Sequence, residues 1–275
     1  PPAPRSQSPF SRVELACQRV NSPSVENGIA MKPRPNLSPS ANFYRLATVC
    51  CAYYVLAQAI QEVAFRYGIN DSAAGEAGIL QRLLPLDQFR LAVMLFSFFP
   101  ILVAFAAVAL RRMRSRPAAS LLGFTFSFVF VTSEVSTRSI ELFLLSRKWA
   151  VEYHAAASPA AQQLIAGRIQ VWADSVGAFY FVLLAGHLLA SACFAIATWD
   201  DDHWNRIVAL AFIANAVRLA GRMAEGYMGQ SWLDPLNSAV YFPAVALIFS
   251  ALTAWLWKQT QLVQEEKREE ILRSA

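Results

Sequence analysis

The sequence is short of charge and of nearly every residue pattern by which a catalytic centre announces itself. Only 16% of its 275 residues are charged against 56% hydrophobic, and the mean hydropathy is +0.35. Soluble domains carry about a quarter of their residues as charges, so an ordinary soluble fold is excluded and a multi-span membrane protein is expected. Histidine and cysteine are scarce, with three and four residues. There is no Cys-x-x-Cys pair, and no second histidine stands at a ligand-like spacing from His187, so no metal site is expected. Cys50 and Cys51 would point about 100° apart on a helix, which makes them a poor disulfide pair and leaves acylation as the alternative to small apolar fillers. Also missing are a Gly-rich phosphate loop, a Gly-x-Ser-x-Gly elbow and a His-Glu-x-x-His motif, so the chain offers no catalytic residue and no cofactor box. The net charge of +5 is dispersed in short clusters beside apolar segments, which is a topology signal and not a nucleic-acid footprint.

What is present is a series of long apolar runs, at about 46–65, 91–110, 118–145, 175–198, 205–226 and 238–257. Each is near or above the roughly 20 residues that cross a bilayer as a helix, so the fold class is an all-α polytopic bundle of six transmembrane helices. The first run is too long for a cleavable signal, and Gln58, Gln61 and Glu62 stand where a small-residue cleavage site would be. Lys and Arg near the span ends set the orientation. Lys32, Arg34, Arg45, Arg111, Arg112, Arg114, Arg116, Arg206, Lys258, Lys267, Arg268 and Arg273 fall on one side. Arg66, Arg82, Arg90, Arg147, Lys148 and Arg168 fall on the other, which predicts both termini in the cytoplasm and an inner-membrane location. All seven tryptophans lie at span boundaries, as interfacial anchors do.

Three regions follow from these runs. Residues 1–41 are rich in Pro and Ser and should be disordered unless a partner holds them; Met31 is a possible natural start. Residues 42–257 form the membrane domain, and residues 258–275 continue the last helix as a charged, solvated tail. Short interfacial helices are expected in outer loops 1 and 3. Asn70-Asp71-Ser72 can cap one from Ala73 to Leu84, ahead of Pro85, and Ser158-Pro159 opens another that feeds the fourth span. The run Asp200-Asp201-Asp202 is explained by capping the fifth span, with weak cation binding as the alternative.

The candidate site is a set of charges inside the membrane. Glu134, Arg138 and Glu141 on the third span are spaced i, i+4, i+7 and share a helix face, and Arg218, Arg222 and Glu225 repeat that spacing on the fifth. At about 1.5 Å per residue Glu134 lies about 25 Å from the cytoplasmic end, at the level of Glu62 on the first span. Such charges face protein or water, not lipid. One reading pairs Glu134 and Glu141 with Arg218 and Arg222, with Arg138 closing a structural cluster. The other is a polar cavity among helices 1, 3 and 5, open to the outside, with the arginines anchoring an anionic group. His187, in the middle of the fourth span, reads as a hydrogen-bonded interhelical contact.

The stretch Asn70-Asp71-Ser72-Ala73-Ala74 leading to Phe89-Arg90-Leu91, together with Gly186-His187-Leu188-Leu189, resembles the bacterial six-helix membrane protein family known as domain of unknown function 4386. The likeness covers about residues 42–257. It implies the topology and assigns no catalytic residue; the Pro/Ser tail, the Asp200–Asp202 run and the charge density of the third span depart from the family's pattern. The function expected is that of a non-catalytic integral membrane protein, an accessory or structural subunit whose N-terminal tail contacts other membrane-protein subunits. Small-solute binding or transport through the polar cavity is the alternative.

Overall fold

In the computed structural model, residues 39–70 and 75–274 are described; the tail expected at 1–41 therefore lies outside them except for its last three residues. Every regular element among them is helical. In order these are α1 (Ala41–Tyr67), α2 (Gly75–Gln81), α3 (Pro85–Arg112), α4 (Pro117–Ser139), a π-helical segment (Ile140–Trp149), α5 (Ala150–Ala155), α6 (Pro159–Thr198), α7 (His203–Met228) and α8 (Asp234–Ser274). Six continuous helical stretches are long and apolar enough to cross a membrane. Large apolar side chains such as Val49, Leu56, Phe96, Phe99, Val217 and Leu247 point outward from them. Exposed apolar surface on this scale needs hydrocarbon around it, so the chain is a multi-pass integral membrane protein in contact with lipid.

Capping chemistry decides where the helices begin. Ser40 accepts the Phe43 amide at 3.3 Å, Ser158 accepts that of Ala161 at 3.3 Å, and Asp202 accepts that of Asn205 at 2.9 Å. Pro85, Pro117 and Pro159 occupy first-turn positions, where a missing N–H costs nothing. The acidic run is thus absorbed by structure. Asp202 is the cap, Asp200 pairs with Arg112 at 2.8 Å, and Asp201 pairs with Arg206 at 2.7 Å.

The spanning helices form a closed ring: α1 lies between α3 and α8, α4 between α3 and α6, and α7 between α6 and α8. The end at which α3 finishes is called proximal here, and the end at which it begins distal. Through the proximal half the ring is filled by Phe98, Phe105, Phe194, Phe249 and Trp255, all buried. Gly186 lets α6 approach α4 closely, since a Cβ there would lie 3.2 Å from the Phe130 backbone nitrogen.

Helix boundaries differ from expectation mainly at the distal end. The second span starts at Pro85 and not near residue 91, because proline begins the helix and does not merely end the one before it. Of the helix expected over 73–84, Gly75–Gln81 is helical and 82–84 form a turn, while 71–74 lie outside the described residues. The separate interfacial helix expected in outer loop 3 is not separate. It is the first part of the 40-residue α6, about 60 Å long and twice the thickness of a hydrocarbon core. No proline interrupts that stretch, and Ile165 and Ile169 on it pack with Ile79, Ala150 and Tyr153, so a small distal core holds the helix together beyond the membrane. The third span likewise continues past residue 145 to Ala155 through the π-helical segment.

Candidate functional site

Within the distal half of the ring lies a cavity of about 860 Å³. Buried His187, Phe130 and Tyr54 line it, and so do exposed Glu76 and Ser238, so it deepens from the distal surface toward the aromatic core. All six spans and α2 contribute to the wall, a wider set than helices 1, 3 and 5 alone.

Of the charges singled out in the sequence, Glu62, Glu134, Arg138, Glu141, Arg218 and Arg222 line this cavity, as does His187. Glu225 does not. Its carboxylate is taken by Arg222 at 3.2 Å and by the Asn237 amide at 2.6 Å, and Asn237 occupies the wall in its place.

The ion pairs form within helices and do not cross between them, which corrects the expected pairing of Glu134 and Glu141 with Arg218 and Arg222. Arg138 donates to Glu134 at 3.2 Å, to Glu141 at 2.8 Å and to the Tyr180 hydroxyl on α6 at 3.2 Å. The reason is local. Neighbours at i+3 and i+4 on one helix face reach each other without moving a helix, and one guanidinium can serve both carboxylates. Glu62 is likewise held by Arg66, one turn on, at 2.6 Å near the rim. The Glu134–Arg138–Glu141 group carries a formal charge of one negative, with Glu134 and Arg138 buried.

Arg218 has no such neighbour. Among the described residues no carboxylate pairs with it. Its Nε and Nη2 donate to Asn215 Oδ1 at 3.2 and 3.0 Å, and its guanidinium lies 5.4 Å from the Tyr241 ring centroid. The Tyr241 hydroxyl in turn donates to Gln58 on α1 at 3.0 Å. A half-buried cation balanced only by an amide oxygen and a ring face is an energetically exposed feature.

Asn215 was not singled out in the sequence. It is 1% exposed and joins three residues: the Arg218 guanidinium at its oxygen, and at its nitrogen both Ser191 Oγ at 2.8 Å and His187 Nε2 at 2.9 Å. The Ser191 hydroxyl donates to the His187 carbonyl at 2.8 Å. His187 stacks on Phe130 with ring centroids 4.0 Å apart, so the interhelical contact expected of it is present, with α7 as the partner. The signal that could have found Asn215 is its spacing, three residues before Arg218 on the same face.

A second feature missed is the Asp87–Arg90 pair, at 2.7 Å, with Arg90 4.7 Å from the Phe65 ring centroid. Both residues line the cavity and are buried. Starting the second span at residue 91 placed them in a loop, where a charge pair draws no attention.

The chain matches no family model, no curated protein and no solved structure.

Proposed function

We propose that the chain is a small-solute binding or transport protein whose site is the distal cavity of the helix ring. The observation that carries this reading is the unpaired Arg218 on the wall of a roomy polar cavity. A cluster that served only to lock the bundle would have its charges paired and its interior filled, since a charge withdrawn from water without a counter-charge is costly and adds nothing to packing. A volume of about 860 Å³ lies within the range of small-molecule sites. The Lys and Arg distribution supports a proximal end in the cytoplasm and a cavity open to the outside of an inner membrane. Resemblance to domain of unknown function 4386 fits the same topology. The accessory-subunit reading leans on the tail, and residues 1–38 lie outside the described residues.

The test is mass spectrometry of the protein released from a mild-detergent preparation. A small molecule retained by the wild type and lost from Arg218→Gln supports the reading. A stoichiometric protein partner and no small molecule refutes it in favour of the accessory role.

A further inference from the structure

The hydrogen-bond directions around Asn215 are forced, and they fix a donor at the deep end of the cavity. A guanidinium can only donate, so the amide atom facing Arg218 must be the oxygen. The nitrogen then faces Ser191 and His187, and its two hydrogens serve one acceptor each. Ser191 Oγ can accept because its own proton goes to the His187 carbonyl. His187 Nε2 must therefore be the unprotonated nitrogen, and a neutral ring carries its hydrogen on Nδ1. That Nδ1–H meets no acceptor among the described residues, while the ring is 4% exposed and lines the cavity.

Two needs are thus left open at this end: the Nδ1–H of His187, on the side of the ring away from Asn215, lacks an acceptor, and the guanidinium of Arg218 has an amide oxygen but no counter-charge. The Tyr54 hydroxyl, on a side chain 4% exposed, also lines the cavity and has no acceptor among the described residues. The charged and titratable groups facing this end from the other helices are Glu134 and Arg138 on α4, Tyr180 on α6, Tyr241 on α8 and Arg90 on α3. All but Tyr241 belong to pairs or hydrogen bonds that do not involve Arg218, and Tyr241 presents its ring to Arg218 while its hydroxyl goes to Gln58. A guanidinium without a counter-charge, on a cavity wall that carries further unused N–H and O–H donors, is the complement of an oxyanion. We propose that the deep end of the cavity binds an oxyanion, the carboxylate or phosphate group of the solute, on the guanidinium of Arg218, and that the Nδ1–H of His187 meets a separate acceptor atom of the same solute. The proposal rests on the cavity being a solute site.

A cysteine reporter tests it without knowledge of the solute. In the full chain, with Cys17, Cys50, Cys51 and Cys193 replaced by serine, Gln58→Cys places a thiol on the cavity wall beside Tyr241, whose ring faces Arg218. Ser238→Cys, exposed at the cavity mouth, serves as reference. The probes are methanethiosulfonates of one size class, one bearing a sulfonate and one a trimethylammonium. The reporter is expected to favour the sulfonate over the ammonium by about tenfold more than the reference does, the low end of what a charge-lined cleft achieves. Arg218→Gln should abolish this preference and Arg218→Lys, which keeps the charge, should retain it. Asn215→Asp should abolish it too, by giving Arg218 a carboxylate. Protection of the reporter by butyrate or by inorganic phosphate would identify the oxyanion. A preference equal to the reference, or one that survives both Arg218→Gln and Asn215→Asp, overturns the oxyanion proposal alone. Failure of both reagents to reach Gln58→Cys while both modify Ser238→Cys overturns the solute cavity itself.

Discussion

Asn215 presents its amide oxygen to Arg218 and its amide nitrogen to His187, so one neutral side chain on α7 sets both the position of a half-buried cation and the tautomer of a histidine on α6. Nitrogen-15 NMR on histidine-labelled protein should show His187 with an unprotonated Nε2 and a protonated Nδ1. Asn215→Leu should remove that bias and lower stability by about 1–3 kcal/mol, the cost of leaving buried polar partners unsatisfied. Thermal unfolding in detergent measures the second effect; an unchanged midpoint would contradict it.

Arg138 serves two carboxylates, while each carboxylate depends on it alone among the described ion pairs. Arg138→Gln should therefore be the most damaging single change in this group, at about 3–5 kcal/mol. Glu141→Gln should cost less, because its neutral amide still accepts from the guanidinium and the contact between Arg138 and Glu134 is kept. Equal losses from the two variants in chemical denaturation would argue against this arrangement.

Gly186 marks where α4 and α6 touch. Any Cβ there would press on backbone, at 3.2 Å from Phe130 N and 3.3 Å from Phe126 O, and backbone cannot move aside as a side-chain tip can. Gly186→Val should reduce the yield of folded protein on size-exclusion chromatography. Gly226→Ala, where a Cβ meets nothing within 4 Å, should be neutral or stabilising by up to about 1 kcal/mol.

Asp200, Asp201 and Asp202 are adjacent in sequence and unequal in structure. Asp202→Ala removes a helix cap and should cost about 1 kcal/mol. Asp200→Ala releases both Arg112 and the Asn205 side chain. Asp201→Ala changes a solvent-exposed pair and should leave thermal stability unaltered, so the ranking of the three melting temperatures is the measurement.

The ring of spanning helices was legible in the sequence because hydrophobic run length is a property of each segment alone. Helix ends were less so, since tertiary contacts outside the membrane set them: Ile165 and Ile169 extend α6 only because Ile79 and Tyr153 are there to receive them. Six of the charges that line the cavity could be named from the sequence, though not Asp87 and Arg90, and the pairing of the six could not. Glu134 has an arginine four residues on and others on a different helix, and spacing alone does not rank the two. Asn215 escaped notice because a neutral amide in an apolar run looks like an ordinary interhelical contact until its neighbours are known.

Beyond Glu134 and Arg138, the third span winds as a π-helix from Ile140 to Trp149, with Glu141 second in that segment. A π segment fits more residues into each turn than an α-helix does, and so holds a surplus of chain. Elsewhere in the ring a one-residue deletion turns every later side chain by about 100° and ruins the packing. Here loss of exposed Phe143 should draw on the surplus, so that Ala150 and Tyr153 turn by less than a deletion elsewhere would impose. The span that carries the densest charge is therefore the one best able to absorb a change of length.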